Sequence, residues 1–161
     1  MPVDRVVVNA SPLIVLFKSS QADLLPRLFH EILIPQAVWQ EVTILQNDVA
    51  SSQLINSAWA MPVEVSINSE IAAWDLGAGE SAVLSYGMQH SGYRAVIDDA
   101  AARRCARALG IATLGTGGVL VLAKRQGLID SVGERLKRLQ EAGLWLSESI
   151  IVMLKQQAGE E

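Results

Sequence analysis

Short apolar runs alternate along this chain with longer amphipathic segments. The apolar runs predict buried strands over residues 6–9, 31–35, 95–97 and 111–114, and an apolar-polar alternation predicts an edge strand over 63–67. Apolar residues spaced three and four apart predict helices over 13–19, 24–29, 38–45, 80–90, 100–109 and 119–126. Strands that alternate with helices predict an α/β protein. We therefore expect a three-layer α/β/α fold around a central, mostly parallel, twisted sheet of four or five strands.

Local signals set the expected ends of these helices. Ser11 is a good N-cap and Pro12 suits a first helical turn, so the first helix is expected to follow them. Gly110 is expected to end the helix over 100–109. The segment 47–57 is polar and weakly patterned, which fits a variable helix and loop.

The last thirty residues carry two further helical patterns. Leu136 and Leu139 mark the inner face of the first, and Ile150, Ile151 and Leu154 mark that of the second. With 161 residues the chain is the size of one domain. We expect a single domain over 1–161, with the helices at about 131–157 packed on it or extending it.

Composition and charge narrow the function classes. Half of the residues are hydrophobic, which excludes a disordered chain. A net charge of -4 excludes a globally basic nucleic-acid binder but not a local basic surface. Residues 1–99 hold 4 Lys/Arg and 11 Asp/Glu, whereas residues 100–161 hold 9 and 6. This asymmetry fits either a metal site beside a phosphate-binding surface or an ordinary solvated surface.

The single cysteine, Cys105, excludes an intramolecular disulfide and a multi-cysteine zinc site. The first residues lack the pattern of a signal peptide, and no apolar run reaches the length of a membrane helix. These features predict a cytoplasmic protein without a membrane partner.

Polar side chains fall where the predicted strands end. Asn9 ends the first predicted strand, and Asp98 and Asp99 come at the end of the fourth. Glu41 lies on the helix after the second strand, and Glu80 begins a helix after a glycine-rich turn. Such groups meet at one rim of a parallel sheet. Each acid alone would more simply be a surface residue or a helix cap, but together they would repel one another unless a cation lay between them. Oxygen ligands favour Mg²⁺ or Mn²⁺, and this is the chemistry of a metal-dependent nuclease.

Five segments in order resemble the PIN-domain proteins, the fold of VapC-type toxin ribonucleases and FEN-like nucleases. The resemblance is strongest to a PIN-like branch of prokaryotic proteins with an N-A-S-P-L-I start. No single segment is specific, but their order over residues 5 to 155 is. The segments are 7–14, 34–42, 76–83, 96–103 and 110–120.

The resemblance implies hydrolysis of RNA phosphodiester bonds with one or two weakly bound Mg²⁺ or Mn²⁺ ions. It implies a metal site of Asn9, Glu41, Glu80, Asp98 and Asp99, in which Glu41, Glu80 and Asp99 are catalytic. Asp98 is a possible substitute for its neighbour. Ser11 matches a small polar residue that lines the same site. The family carries an acid where this chain has Asn9, and more often Asp where it has Glu80.

The departure at Asn9 supports an alternative function, in which a degenerate PIN domain binds RNA or a protein without cleaving. As a toxin, the chain would pair with an antitoxin protein, and the resemblance also implies a homodimer. Arg103, Arg104 and Arg107 follow the fourth strand and either bind an RNA backbone or form salt bridges within the domain. The four tryptophans are most simply core or interface anchors, and stacking on RNA bases is the alternative.

Overall fold

A run of three valines forms the centre of the fold. The computed structural model describes residues 4–45 and 49–161. Strand β1 (Arg5–Val8) buries Val6, Val7 and Val8 completely. It lies between β2 (Glu31–Pro35) and β4 (Tyr93–Val96), with β3 (Ala60–Val63) and β5 (Thr113–Leu114) outside them. All neighbouring pairs are parallel, in the order β3-β2-β1-β4-β5, which confirms the predicted α/β class.

Helices cover both faces of this sheet and complete the three layers. Burial on both faces explains why the central strands are continuous apolar runs. No helix in the described ranges is long and apolar enough to cross a membrane. The helices are α1 (Ala10–Lys18), α2 (Leu24–Leu28), α3 (Gln36–Gln40) with a π-helical continuation over Glu41–Leu45, α4 (Val49–Ile55), α5 (Ser69–Ala72), α6 (Ala78–Gln89), α7 (Ala100–Leu109), α8 (Thr116–Arg125), α9 (Val132–Glu141) and α10 (Glu148–Gln157).

The edge strand lies earlier in the chain than its alternating pattern predicts. The prediction of a strand over 63–67 is wrong, because β3 ends at Val63. Val63 pairs with Pro35, the last residue of β2, so the following residues have no strand to pair with. Pro62 is tolerated in β3 because an edge strand needs fewer backbone donors.

The first helix also begins earlier than predicted. Asn9, not Ser11, occupies the N-cap position of α1, and Ser11 is an exposed residue of its first turn. The Asn9 N–H donates to the Val96 carbonyl across the sheet (3.0 Å), so strand pairing sets the start of the helix. The prediction for 47–57 is in part fulfilled by α4, and its residues 47–48 lie outside the described ranges.

The C-terminal helices pack on the rest of the fold. A Cβ added at Gly117 of α8 would lie 2.5 Å from Leu154 Cδ1, which shows how closely α10 approaches α8. Leu136, Leu139 and Leu154 are buried, as their spacing predicts. The prediction that Ile150 lies on the inner face of α10 is wrong, because this side chain is 40% exposed.

Glu160 holds the end of the chain against α9. Its carboxylate accepts hydrogen bonds from the Val132 N–H (2.7 Å), the Gly133 N–H (3.1 Å) and Lys124 Nζ (3.0 Å). Burial alone would raise the pKa of Glu160, but these donors outweigh that effect and lower the pKa to about 2. The carboxylate therefore satisfies N–H groups that α9 leaves unpaired at its first turn.

We expect Glu160→Gln to lower the free energy of unfolding at pH 7 by about 1–2 kcal/mol, because a charged acceptor is lost. A folded-state pKa below the ordinary value of 4.5 means that this stabilisation is present above pH 4.5. It is lost as the pH falls towards 2. Urea unfolding of both proteins from pH 7 to pH 2 measures the difference.

Glu161→Gln is the matched control, since this neighbouring carboxylate is exposed. It should leave the free energy of unfolding unchanged at every pH. Equal free energies of unfolding of the wild type and Glu160→Gln at pH 7 would contradict the proposed role of Glu160.

Candidate functional site

The strand order places a crevice at the carboxyl ends of β1 and β4. The chain leaves β1 towards β2 on one side, and leaves β4 towards β5 on the other. In open parallel sheets, ligands bind at the carboxyl ends of two neighbouring strands whose following connections go to opposite sides of the sheet. Asn9 follows β1 directly, and Asp98 follows β4 after one residue, so both lie at this crevice.

Asn9 has a buried oxygen that no group in the described residues satisfies. Its side chain is 3% exposed, and its Oδ1 atom has no hydrogen-bond partner. An unsatisfied buried carbonyl costs free energy, so native structures rarely contain one without a ligand or a functional reason. Asn9 Oδ1 lies 3.1 Å from the point that a Cβ on Gly79 would occupy.

Glu41 reaches the same point from another helix. Its Oε1 atom lies 3.5 Å from the position of a Cβ on Gly79. Glu41 begins the π-helical turn that continues α3, and such turns are frequent at functional sites. The absence of a side chain at Gly79 thus leaves room between α6 and two oxygen ligands.

Glu80 supplies the second carboxylate. Burial raises the pKa of Glu41, and the negative charge of Glu80 raises it further. Glu80 lies in the first turn of α6, where the helix dipole favours an acid. Its Oε2 atom lies 2.6 Å from the point that a Cβ on Gly77 would occupy, so the carboxylate folds back over the start of its own helix.

Asp98 and Asp99 make other contacts. Asp98 Oδ1 accepts from the Thr116 N–H (2.8 Å), and its Oδ2 accepts from the buried Thr116 hydroxyl (2.5 Å). Asp99 is exposed and caps α7, with Oδ2 accepting from the Ala102 N–H (2.9 Å). The first acid joins β4 to the start of α8, and the second starts α7.

The structure therefore brings Asn9, Glu41 and Glu80 together and gives Asp98 and Asp99 separate partners. Within residues 4–45 and 49–161, no three His, Cys, Asp or Glu side chains are grouped closely enough to hold a metal ion. The unsatisfied amide oxygen beside two carboxylates still fits a hard divalent cation that keeps several water ligands.

The basic residues lie on α7, next to this rim. Arg103 Nη1 donates to the Ile97 carbonyl (3.3 Å), while Arg104 and Arg107 are exposed. No ion pair among the described residues includes any of the three arginines, so the salt-bridge interpretation has no support there. Ser11 lies in the first turn of α1 with an exposed side chain.

Two residues of this region were not among the predicted site residues. Gly79 lets α6 approach Asn9 and Glu41 closely, and Thr116 satisfies both oxygens of Asp98. The glycine-rich turn before Glu80 was a visible signal for the first. The pairing of Thr116 with Asp98 joins residues 18 apart in the chain, and local patterns carry no information on it.

The parallel sheet and the helices on both of its faces define a three-layer α/β/α fold. The family model DUF3368, a PIN domain, matches residues 5–160. The chain therefore belongs to the PIN-domain family, as its five segments predicted. Searches of the curated proteins and of the solved structures gave no match.

Removing one charge of the acidic pair tests the electrostatics of the site. We expect Glu41→Gln to raise the Tm in buffer without divalent cations, because a desolvated carboxylate beside Glu80 is replaced by a neutral side chain. Mn²⁺ should then raise the Tm of the wild type more than that of the variant. Glu64→Gln, at an exposed carboxylate outside the site, should match the wild type in both buffers. A lower Tm for Glu41→Gln without cations would contradict the repulsion.

A methyl group at Gly79 tests the space between the oxygens. In Gly79→Ala it would lie 3.1 Å from Asn9 Oδ1 and 3.3 Å from Val38 Cγ2. We expect Mn²⁺ affinity to fall about tenfold or more, as measured by isothermal titration calorimetry, because the methyl group excludes ligand and water.

Gly87→Ala is the control for this substitution. It lies on the same helix, and its methyl group would also meet a side chain at 3.1 Å, Ile111 Cγ2, away from the site. Both variants gain helix propensity. Equal Mn²⁺ affinity in Gly79→Ala and Gly87→Ala would show that the cation binds elsewhere.

Proposed function

We propose that this PIN-domain protein is a metal-dependent ribonuclease that hydrolyses RNA phosphodiester bonds. The buried Oδ1 of Asn9 carries the proposal, since it has no partner among the described residues and lies beside Glu41 at the carboxyl end of the central strand. A hard cation is the ligand that satisfies an amide oxygen and relieves the repulsion between Glu41 and Glu80.

In this proposal, Asn9, Glu41 and Glu80 hold Mg²⁺ or Mn²⁺. When bound, such a cation lowers the pKa of a water molecule and stabilises the negative charge that develops on phosphate. Asn9 contributes an oxygen without charge, so the site binds the cation more weakly than three carboxylates would. Glu41 supplies a carboxylate whose pKa burial and Glu80 raise while no cation is bound, so a cation between the two acids would favour its charged form.

The neighbouring acids and arginines have supporting roles. Asp98, held by Thr116, and the N-cap Asp99 are proposed to contribute through water rather than by direct coordination. Arg103, Arg104 and Arg107 follow them on α7 and are proposed to bind the RNA backbone, since phosphate contacts hold a nucleic acid in register without reading its sequence. Ser11, exposed at the start of α1, is proposed to line the approach to the site.

A second function has its own support. Asp98 and Asp99 both make hydrogen bonds within the fold, so only two carboxylates remain beside Asn9. A site of this kind is also compatible with a PIN domain that binds RNA or a protein and does not cleave. The ribonuclease remains the first proposal because non-catalytic binding does not account for the unsatisfied Asn9 oxygen.

The biological setting extends the same proposal. As a ribonuclease of this family, the chain would act in the cytoplasm as the toxin of a toxin–antitoxin pair and form a homodimer. Two large apolar side chains, Met61 in the edge strand β3 and Ile67 shortly after it, are exposed, which supports a contact with another protein there.

Cleavage of a pool of varied RNAs tests the function directly. The wild type with Mn²⁺ should cleave some of the RNAs. Glu41→Gln and Glu80→Gln should each lower the cleavage rate by about 100-fold or more, because loss of a residue that only hydrogen-bonds to a metal ligand already costs about 10- to 100-fold. Asn9→Asp should bind Mn²⁺ more tightly and cleave faster, because it adds a third negative charge. Glu64→Gln is the matched control, since this acid is exposed and lies outside the site.

The outcomes separate the two functions. If wild type and Asn9→Asp leave all RNAs intact with Mn²⁺, yet both bind RNA equally well with and without the cation, the chain is a non-catalytic binding domain. If Glu64→Gln loses as much activity as Glu41→Gln, the assignment of the site is wrong.

A further inference from the structure

A cavity lies at the carboxyl ends of β4 and β5, on the same edge of the sheet as Asn9. It has a volume of about 560 Å³ and lies between the start of α8, helix α10 and the connection that precedes α10. This size is typical of small-molecule sites. We call it the α8–α10 groove. Its lining includes Asp98, Arg103, Leu114, Trp145, Met153 and Gln157.

One wall of the groove presents apolar side chains to solvent. Trp145 is 80% exposed, and Ile150 and Met153 beside it are also exposed. Leaving an indole ring in water forgoes a large gain from burial. An exposed aromatic face is also the usual platform on which unpaired bases of single-stranded RNA stack.

The other end of the groove is polar and lies just after β4, where Asp98 and Arg103 line it. Arg103 Nη1 and Asp98 Oδ1 lie 3.0 and 3.2 Å from the point that a Cβ on Gly115 would occupy. A larger residue at Gly115 would therefore close this end. Arg103 makes one hydrogen bond, to Ile97, and no ion pair within the described ranges, so most of its five N–H donors remain for a ligand.

We propose that the α8–α10 groove holds a nucleotide of single-stranded RNA next to the scissile phosphate, with its base stacked on Trp145 and its phosphate bound by Arg103. The proposal rests on the ribonuclease function and assigns this groove as the subsite for one unpaired nucleotide, because a base in a duplex cannot stack on a side chain.

Charge and continuity favour this occupant over a second copy of the chain. A protein partner would have to desolvate Arg103 and Asp98 together with the apolar wall. A nucleotide instead offers a phosphate to Arg103 and a base to Trp145. At the polar end, both oxygens of Asp98 are bound by Thr116, whereas Arg103 keeps N–H donors that a phosphate can accept.

Binding of a labelled single-stranded RNA hexamer, measured by fluorescence anisotropy in EDTA, tests the proposal without cleavage. Trp145→Ala should weaken binding about 5- to 100-fold, the loss typical of one stacked base. Trp145→Leu should weaken it similarly, because an apolar side chain without a ring cannot stack. Trp74→Ala is the control, since Trp74 is exposed and does not line the groove.

A hexamer of the same backbone without bases separates stacking from charge. It should bind the wild type and Trp145→Ala equally. Arg103→Ala should weaken binding of both hexamers and lower the slope of log affinity against log salt by about one. Since Trp145 is exposed, the thermal unfolding of its variants should match the wild type, which excludes misfolding as a cause.

Three results would overturn the proposal. The first is wild-type affinity of Trp145→Ala for the RNA hexamer. The second is equal loss of affinity for the hexamer without bases. The third is a dimer that Trp145→Ala converts to monomer with unchanged RNA affinity, which would make the groove an interface between copies.

The ribonuclease function fails separately from this proposal. If binding of the RNA hexamer depends on Trp145 but no RNA is cleaved with Mn²⁺, the groove binds RNA and the proposed ribonuclease activity is wrong. If RNA is cleaved in a Glu41-dependent way and Trp145→Ala binds and cleaves like the wild type, the groove proposal alone is wrong.

Discussion

The pairing of β1 between β2 and β4 is the constraint on which the rest of the structure depends. Val6, Val7 and Val8 are completely buried, and the Asn9 N–H extends the pairing to Val96. This bond fixes where the strand ends and where α1 begins. It therefore places the Asn9 side chain inside the protein, at the carboxyl ends of β1 and β4, where the connections after these two strands go to opposite sides of the sheet.

The rim carries groups that are unfavourable without a ligand. An amide oxygen is buried without a partner in the described part of the chain, and burial and Glu80 raise the pKa of Glu41. Gly79 leaves space where most residues would fill it. Functional sites commonly hold such destabilising groups, and the apolar core beneath the rim offsets their cost. Asp98 and Asp99, in contrast, are satisfied by Thr116 and Ala102 and stabilise the two helices that follow.

Local patterns were sufficient for the centre of the fold and insufficient for its edges. The valine run of β1 and the leucine spacing of α9 needed no knowledge of their partners. The position of β3 depended on where β2 ends, because Val63 pairs with Pro35. The site shows the same division. Glu41 lies near Asn9 across Gly79, and Glu80 is close enough to raise the pKa of Glu41. The Thr116 contact with Asp98 and the close approach of α6 at Gly79 arise from tertiary packing.

A divalent cation bound between Asn9 and Glu41 is the feature on which the proposed chemistry depends. Anomalous diffraction from crystals soaked in Mn²⁺ would locate such a cation without reference to activity. We expect a peak at coordination distance from Asn9 Oδ1 and from a Glu41 carboxylate oxygen. A peak on Asp98 or Asp99 with none beside Asn9 would contradict it, as would Asn9 Oδ1 bonded to a protein donor instead.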